Sequence, residues 1–510
     1  MTRRLNVVIP MAGQGKRFRR AGYDTYKPFV PIFGKPMIQY VLDAFPARVT
    51  RRVVADRSLL TEEQVDYLRG QPGVVVHFVP SHELGPAYSI YQARHELPLD
   101  EAFFVAYCDI HWTWDYAQVE RSLDADGVIY TRRRFHPHLV GNNYSAFCRP
   151  SPDDHNRLLA IREKGSFTTE WMSEPLSVGC FYVRDGNAMM RAISAMIAED
   201  REVSDEFFPS LIFNDLVEAG LTIRLHDVDF FVHWGVPAQL EDLLAWIETC
   251  RRLAARPAPV HGTNVCCMGG VGARMQALGT VPKALLPVAG TEEPMFRFVA
   301  RRFGCRSNTF VANDRIAPIL RSLAEDGEHV VDIGPATSSQ LATLRRASHV
   351  LTPQSGFFLT SCDAFGLWDP AAFADYLARE KPDAVIFTFE PTLLQSALRG
   401  SHTYVECSGA FVHRMHIKHR PPGDARGLAG FFWFRDGAVF GELDRIPEDP
   451  DHEPCADHVL KYMLDTGKRV GAYPLDAYLH LGSPPELKEF AFWQEYGRLF
   501  ADVKPTGHRA

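Results

Sequence analysis

The segment from Asn6 to Phe18 reads NVVIPMAGQGKRF, an apolar run that passes directly into a glycine loop. The run Val7–Met11 predicts a β-strand, and the two glycines after it let backbone N–H groups approach phosphate oxygens closely. Arg17 adds a planar, permanent charge suited to bidentate phosphate contact. A lysine at position 27 opens the next stretch, KPFVPIFGKPM. Together these stretches predict an α/β fold with a phosphate-binding loop at the carboxyl edge of its sheet.

The same set of residues occurs a second time, about half a chain further on. Asn264–Met275 reads NVCCMGGVGARM, and Pro282–Met295 reads PKALLPVAGTEEPM. Arg274 follows Arg17 by 257 residues (274 − 17). Further echoes keep the same order: CDIHWTWD against CDAFGLWD, GCFYVRDG against GFFWFRDG, and FVHWGVPAQL against YLHLGSPPEL. We therefore predict a tandem duplication of one domain.

The predicted domains are residues 1–255 and 262–510, each close to the upper size for one core. The segment Ala254–Gly262 is rich in alanine and proline, which is typical of a linker. Apolar runs alternate with helical patterns, which predicts for each half a mostly parallel, Rossmann-like sheet with helices on both faces. In the first half we predict strands at 52–55, 74–79, 102–107, 144–149, 158–161 and 177–183, and helices at 36–45, 62–68, 87–95 and 187–198.

The composition is that of an ordinary globular protein, with 46% hydrophobic and 23% charged residues in a chain of 510. A net charge of −7 argues against a nucleic-acid partner. The ten cysteines are scattered without metal-ligand spacing, so we expect reduced thiols and a cytoplasmic location. No stretch is long and apolar enough to predict membrane insertion, and the sequence predicts no particular oligomeric state.

Two common nucleotide-binding motifs do not fit the first glycine loop. A dinucleotide-binding loop needs a third glycine three residues after the second, where this chain has Phe18. A P-loop needs Gly-Lys-Ser/Thr after a longer gap, which is absent here. The motif that remains is G-x-G-x-R followed by Lys-Pro.

With these residues, both halves resemble the sugar-phosphate nucleotidyltransferases, also called NDP-sugar pyrophosphorylases. The family opens with a strand, then A-G-x-G-x-R, a short spacer, K-P, and G-x-P-m-i. The corresponding stretches here are Ala12–Arg17, Lys27-Pro28 and Gly34–Ile38. The opening motif is specific, and weaker matches cover nearly the whole chain.

The resemblance implies a role for residues along the first half. Ala12, Gly13 and Gly15 would hold a nucleoside triphosphate together with Arg17, and Lys27 would lie by the reacting phosphates. Further residues would contact the base (Gly85, Pro86 and Ala87) and the acceptor, where Glu163 would bind sugar hydroxyls, Lys164 would pair with the phosphate and Gly179 would lie nearby. For the base contacts, a plain helix start with proline in its first turn is an equally good interpretation.

Asp109 follows the apolar run AFFVAYC and would bind Mg²⁺, which prefers oxygen ligands. Its recurrence as Asp363 favours this role over a simple turn residue. Asp115 and Asp369 also recur, and we predict that each caps the helix that follows.

Both halves depart from the family near their ends. His233 and His480 stand where many members have a second metal-binding aspartate, and imidazole is a poor ligand for Mg²⁺. A second carboxylate would then come from elsewhere, such as Asp227 or Asp229, or water would complete the site.

The second half keeps the equivalent residues Gly270, Gly272, Arg274, Lys283, Asp363 and Lys418. However, Ala273 replaces Lys16 and Ile417 replaces Glu163. One hypothesis is that the first half catalyses while the second is weakened, scaffolding or regulatory. The other is two active sites with different acceptors.

The reaction implied by the resemblance is Mg²⁺-dependent nucleotidyl transfer. An NTP and a sugar 1-phosphate, or a similar phosphorylated acceptor, would give an NDP-sugar and pyrophosphate, in a pathway such as bacterial surface-glycan synthesis. The alternative is a glycosyltransferase of related fold that consumes an NDP-sugar. Such enzymes usually show Asp-x-Asp at the metal, whereas this chain has Cys-Asp-Ile-His at Cys108–His111.

Overall fold

The computed structural model describes residues 4–121, 123–141, 144–255, 260–291, 293–398, 402–423, 425–447 and 454–500. The chain divides into two compact units, and the division falls between Leu243 and Leu244. Residues 256–259 of the predicted linker lie outside the described residues. No described helix is long and apolar enough to cross a membrane.

The first unit contains the strands β1 (Leu5–Pro10), β2 (Pro31–Ile32), β3 (Lys35–Pro36), β4 (Thr50–Asp56), β5 (Val74–Val79), β6 (Ala102–Ala106), β7 (Ile110–Thr113), β8 (Gly127–Arg132), β9 (Phe147–Pro150), β10 (Leu158–Arg162), β11 (Leu176–Val183), β12 (Ile223–Asp227) and β13 (Phe230–His233). Its helices are α1 (Lys16–Arg20), α2 (Met37–Asp43), α3 (Glu62–Gly70), α4 (Pro86–Gln92), α5 (Tyr116–Arg121), α6 (Gly186–Ala198), α7 (Ile212–Glu218) and α8 (Pro237–Ala254), the last of which extends past Leu243. Most predicted elements are therefore present, with boundaries shifted by a few residues.

The main sheet of the first unit has the order β5-β4-β1-β6-β11-β8-β12, with β9 and β10 attached beside β11. β1 pairs in parallel with β4 and β6, but β11 runs antiparallel to β6 and β8. The predicted sheet was mostly parallel, and this one is mixed. The change of direction occurs at the antiparallel β9–β10 connection, after which β10 and β11 both run opposite to β9.

The central strand β1 is buried on both faces. Val7 and Ile9 belong to one hydrophobic core and Val8 to a second on the opposite face. Such burial suits a central strand of an α/β sheet, where helices cover both sides. Because β1 and β6 are parallel neighbours, the glycine loop after Pro10 and Asp109 after Ala106 emerge at the same edge.

A short antiparallel pair outside the main sheet positions one further residue. β7 pairs with β13 in a register that places His233 opposite Ile110. The backbone N–H of Trp234 donates to the carbonyl of Asp109 at 3.1 Å. His233 is thereby held beside Asp109.

The second unit contains the strands β14 (Val260–Met268), β15 (Cys305–Ala312), β16 (Glu328–Asp332), β17 (Ser355–Ser361), β18 (Ala364–Leu367), β19 (Ala384–Phe389), β20 (Tyr404–Ser408), β21 (Phe411–His416), β22 (Arg426–Asp436), β23 (Val470–Pro474) and β24 (Ala477–His480). Its helices are α9 (Met295–Phe303), α10 (Ala317–Leu323), α11 (Gln340–Leu351), α12 (Pro370–Glu380), α13 (Leu393–Ala397), α14 (Asp457–Asp465) and α15 (Pro484–Arg498).

The second sheet repeats the strand order of the first. It runs β16-β15-β14-β17-β22-β19-β23, with β20 beside β22, and β18 pairs separately with β24. His480 stands opposite Ala364 in that pair, as His233 stands opposite Ile110. This shared order is consistent with the predicted duplication, which itself stays a sequence-based prediction.

The structure also tests the predicted helix caps and core thiols. Asp115 accepts the N–H of Ala117 at 3.0 Å, and Asp369 accepts that of Ala371 at 2.8 Å, so both aspartates cap the helices that follow them. All cysteines are free, and Cys266 is buried within β14. The predicted core thiols are therefore present.

Candidate functional site

A cavity of about 540 Å³ opens at the carboxyl edge of the first sheet. Its volume lies in the range of pockets that take a small-molecule ligand. The sequence-predicted residues that line it are Ala12, Gly13, Gly15, Arg17, Lys27, Gly85, Pro86, Asp109, Glu163, Lys164 and Gly179. Ala87 does not line it. Residues nearly 170 positions apart are thus brought to one cavity.

The glycine loop is fixed by its own conformation and by a tyrosine. Gly15 has a φ of +63°, and a Cβ there would come within 3.2 Å of the Lys27 Cβ. The hydroxyl of Tyr26 donates to the carbonyls of Met11 and Gly13, the latter at 2.9 Å. Arg17 is exposed on the cavity wall. The loop therefore holds its shape while Arg17 stays available to an anion.

Asp109 is the charged centre of the cavity. The Lys27 Nζ lies 2.5 Å from its Oδ2, and the His233 Nε2 lies 3.7 Å from the same oxygen. Burial alone would raise the pKa of Asp109, but Lys27 and His233 hold it well below its usual range. Asp109 is therefore an ionised carboxylate at neutral pH.

His233 is held in place from two sides. Its Nδ1 lies 3.0 Å from the side-chain oxygen of Gln239. A Cβ on Gly235 would lie 2.3 Å from the imidazole ring, so only glycine fits there. The histidine consequently faces Asp109 with its Nε2, as a positioned neighbour of the carboxylate.

The structure does not bring the two alternative carboxylates to this centre. Asp227 accepts hydrogen bonds from Thr131 at 2.5 Å and from Arg133 at 2.8 Å. Neither Asp227 nor Asp229 lines the cavity. The parallel pairing of β12 with β8 places Asp227 opposite Thr131, away from this centre, and the second ligand of a metal site stays a prediction.

The acceptor residues predicted at the end of β10 lie on the cavity wall. The hydroxyl of Ser210 donates to the Glu163 carboxylate, and surrounding protein raises the pKa of Glu163 to about 6. Lys164 has a φ of +52°, and its Nζ lies 3.5 Å from the Glu206 carboxylate and 4.8 Å from the Phe208 ring centroid. A carboxyl and an ammonium group therefore stand side by side.

Glu206 is a residue that the sequence did not reveal. It lines the cavity 42 residues after Lys164, in a stretch where Ser204 and Asp205 both have positive φ. An acidic residue among other acidic residues gives no pattern from which its contact with Lys164 could be predicted.

The predicted base-contact segment is only partly as expected. Gly85 has a φ of +85°, and a Cβ there would meet the Phe207 backbone at 2.9 Å. The N–H of Ala87 donates to the carbonyl of Phe207 at 3.0 Å, and its side chain is fully buried. The N–H of Ala87 is therefore already bonded within the protein, and contact of Ala87 with the base stays a prediction. Gly85 and Pro86 remain on the cavity wall.

Gly179 has a packing reason in addition to its place on the cavity wall. Its φ is +80°, and a Cβ would lie 2.5 Å from the ring of Tyr107. The N–H of Tyr107 donates to the Gly179 carbonyl at 3.0 Å. Tyr107 precedes Asp109 by two residues, so Gly179 helps set the strand end that carries the carboxylate.

Two buried histidines also line the cavity without having been predicted. The His138 Nε2 lies 3.0 Å from the Asp242 carboxylate, and the His136 side chain accepts the N–H of His138 at 3.2 Å. Burial lowers the pKa of His136 well below its ordinary value. Neighbouring Leu139 and Phe231 make this part of the wall largely apolar.

The second unit reproduces the charged centre. The Lys283 Nζ lies 2.7 Å from Asp363 Oδ2, and the His480 Nε2 lies 3.6 Å from it. Gly272 has a φ of +65°, close to that of Gly15, and Arg274 is exposed like Arg17. The predicted equivalents thus adopt the same local geometry in both units.

The neighbour of the second histidine differs. The His480 Nδ1 lies 2.6 Å from the carboxylate of Glu486, where His233 has the amide of Gln239. Asp363 is also more deeply buried than Asp109, with side-chain exposures of 5% and 15%. The second centre is therefore more enclosed and carries one more negative charge.

Part of the chain matches proteins that are already described. Residues 7–163 match the model of the MobA-like NTP transferase domain family. A mannose-1-phosphate guanylyltransferase from Mycobacterium tuberculosis is 27% identical over 219 residues, which cover 41% of this chain and 56% of that protein. The chain thus spans just over half the length of this curated relative.

Two solved structures are similar at lower identity. A nucleoside-diphosphate-sugar pyrophosphorylase from Vibrio cholerae RC9 is 18% identical, with 46% of this chain and 98% of that chain covered and a TM-score of 0.39. The UTP-bound UGPase from Acinetobacter baumannii is 17% identical, with 47% and 91% covered and a TM-score of 0.37.

Proposed function

Taking residues 7–163 as a MobA-like NTP transferase domain, we propose that this chain transfers a nucleotidyl group from an NTP to a sugar 1-phosphate or a similar phosphorylated acceptor, releasing pyrophosphate. The observation that carries the proposal is the Lys27–Asp109 pair, which lies in one cavity with a glycine loop and with the Glu163–Lys164 pair. The cavity thus offers cations for phosphates and a carboxylate for hydroxyls.

The charge of each cavity residue determines which part of the substrates it binds. The glycine loop and Arg17 bind the triphosphate, and Arg17 takes up the charge that develops on the leaving pyrophosphate. Lys164 binds the acceptor phosphate, and Glu163 accepts hydrogen bonds from acceptor hydroxyls. Because the acceptor phosphate is anionic at neutral pH, no residue has to remove a proton from it. Alignment and charge neutralisation supply the catalysis.

Asp109 is the residue that would hold Mg²⁺. It is an ionised carboxylate on the cavity wall, which is the kind of ligand that Mg²⁺ takes together with substrate phosphates and water. Among the described residues no group of three or more His, Cys, Asp or Glu side chains is arranged to hold a metal unaided. Bound Mg²⁺ would neutralise phosphate charge, while Lys27 keeps Asp109 ionised and oriented before substrate arrives.

Guanylyl transfer to mannose 1-phosphate is the first reaction to test, since the curated relative from M. tuberculosis is described as a mannose-1-phosphate guanylyltransferase. The product would be an activated sugar for glycan synthesis, such as that of a bacterial surface polysaccharide. The chemistry is assigned to the first unit, because the whole cavity lies within it.

The test is a screen of the four NTPs against sugar 1-phosphates, with pyrophosphate and nucleoside diphosphate both measured. We expect pyrophosphate release with Mg²⁺, and a loss of about 10²–10³ in rate in Asp109→Ala. Asp363→Ala is the matched control and should retain most of this rate. Release of nucleoside diphosphate from an NDP-sugar would instead identify a glycosyltransferase. Loss of the main activity in Asp363→Ala alone would refute the assignment to the first unit.

A further inference from the structure

Near Lys418 the backbone of the second unit resembles that near Lys164 in the first, although the neighbouring residues differ. Lys418 has a φ of +52°, the same as Lys164, and each follows a strand that pairs antiparallel with its neighbour. The residue before Lys418 is the buried Ile417, whereas Glu163 precedes Lys164. Judged by this position alone, the second unit lacks the carboxylate of the first.

A carboxylate nevertheless occurs at a corresponding position of another element. Helix α14 ends at Asp465 and α7 at Glu218, a step of 247 residues (465 − 218), and the strands that follow them begin at the same step. That step takes Asp457, the first residue of α14, to Ser210. Ser210 is the residue whose hydroxyl bonds to Glu163.

Both units have a hydrogen bond between a hydroxyl and a carboxylate in this region, but the two groups come from different elements in each unit. The Thr403 hydroxyl donates to the Asp457 Oδ2 at 2.5 Å and accepts the N–H of Lys418 at 3.2 Å. In the first unit the strand side supplies the carboxylate and the helix side supplies the hydroxyl. In the second unit the helix side supplies the carboxylate and the strand side supplies the hydroxyl. Asp457 is 7% exposed, so its charge is held inside the unit.

His402 gives a second, independent sign of a ligand. It is only 6% exposed, and its Nε2 has no hydrogen-bond partner within the described part of the chain. Burial is the main cause that lowers the pKa of His402 to about 4, with smaller contributions from His480, Lys418 and Arg274 and an opposing one from the Glu486 carboxylate. A neutral imidazole is therefore enclosed near the side chains of Lys418 and Arg274. Most buried polar atoms in proteins have a hydrogen-bond partner, so the His402 Nε2 is open to a bonding group from a ligand.

His402 also occupies an informative position. The strands β20 and β9 begin at Tyr404 and Phe147, a step of 257 residues (404 − 147), and the same step takes His402 to Ser145. Ser145 lines the cavity of the first unit. The unpartnered imidazole therefore stands where the first unit presents a hydroxyl to its cavity.

We propose that the second unit is a second acceptor-binding site, which takes a phosphate monoester carrying hydroxyl groups. Lys418 and Arg274 bind the phosphate. The Asp457 carboxylate accepts a hydrogen bond from one hydroxyl of the ligand, and the His402 Nε2 forms a hydrogen bond with a second hydroxyl. The inference rests on the proposed function for its class of ligand. The second unit is then a site of different specificity, with its carboxylate moved from strand to helix.

The test uses the full chain with the acceptor residues of the first unit removed, Glu163→Gln with Lys164→Ala. Binding is measured by isothermal titration calorimetry with mannose 1-phosphate as a cyclic ester, glycerol 3-phosphate as an open-chain ester, and inorganic phosphate. We expect at least one ester to bind about tenfold or more tightly than inorganic phosphate. Which ester it is identifies a sugar or an open-chain ligand. Equal binding of all three probes, or no binding, would overturn the proposal.

Two added substitutions test the named residues. Asp457→Asn and His402→Phe should each weaken ester binding about tenfold or more, because a hydrogen bond to a charged or buried partner is lost, while inorganic phosphate binding stays unchanged. Glu406→Gln is the matched control, since Glu406 is a carboxylate on β20 that bonds to His416 outside this group. Thermal unfolding checks that each variant folds. If Asp457→Asn does not fold, His402→Phe still tests the proposal.

Loss of ester preference in Glu406→Gln, or its retention in both Asp457→Asn and His402→Phe, contradicts the proposal. Failure of the proposed function would show differently, as absence of pyrophosphate release by the unaltered chain. That outcome leaves the calorimetric comparison intact, because binding does not require turnover.

Discussion

Replacing Glu163 by glutamine should stabilise the first unit at high pH. Burial is the main reason that the pKa of Glu163 rises to about 6, while Ser210 and Lys164 oppose the rise. In the unfolded chain the pKa of a glutamate is about 4.3. The native state therefore binds the proton more tightly than the unfolded state, so stability falls as pH rises between these two values. At about 1.4 kcal/mol per pKa unit, ionisation costs the native state up to roughly 2 kcal/mol above pH 7.

The Glu163→Gln variant keeps the oxygen that accepts from Ser210 and removes the titration. Urea unfolding of the full chain is measured between pH 4 and pH 8, with hydrogen exchange in β10 as the readout for the first unit. The free energy of unfolding of the variant should increase relative to that of the unaltered chain as pH rises. The gain should be near zero at pH 4 and approach roughly 2 kcal/mol at pH 8. Glu202→Gln removes an exposed carboxylate of the same unit and serves as control. A pH-independent difference, or a gain at low pH, would refute this account of Glu163.

Three further outcomes follow from the geometry of the first unit. Lys27→Ala should lower the free energy of unfolding by about 2–3 kcal/mol, because the largely buried Asp109 carboxylate loses the ammonium group that lies 2.5 Å from it; unchanged urea unfolding would contradict this. Gly179→Ala should lower the melting temperature by the equivalent of about 1–3 kcal/mol, since the added Cβ meets Tyr107 at a φ of +80°, whereas Gly13→Ala, with no atom within 4 Å, should change it by less than about 0.5 kcal/mol. A larger loss of stability in Gly13→Ala than in Gly179→Ala would show this reasoning to be wrong. Chelation of divalent cations should stop pyrophosphate release and added Mg²⁺ should restore it, and a rate indifferent to the chelator would exclude the proposed metal.

The sequence predicted local features well. The strand at Val74–Val79 has the predicted bounds, and the caps at Asp115 and Asp369 are confirmed. These features depend on a short apolar run or on neighbours two positions away, which a sequence displays directly. The glycine loop and Asp109 were predictable for the same reason, because each follows directly on a buried strand.

The sequence failed where an answer depended on what lies across the fold. Ala87 follows a proline at a helix start, but whether its N–H is free was decided by Phe207, 120 residues later (207 − 87). Glu206 has no pattern around it, and its place beside Lys164 comes from a loop with two positive-φ residues. In the same way, the hydrogen bond from Thr403 to Asp457 joins residues 54 positions apart, and no local pattern predicts it.

By itself the sequence determined the α/β class, the repeated glycine loops and the lysine and aspartate of each half. Those features are written in short stretches and in their recurrence about 257 residues apart. Only the tertiary structure decided that Lys27 and His233 both face Asp109, and that Thr403 faces Asp457. The physical reason is that the register of strand pairs and the packing of loops set which side chains meet, and these depend on contacts between residues far apart in the chain.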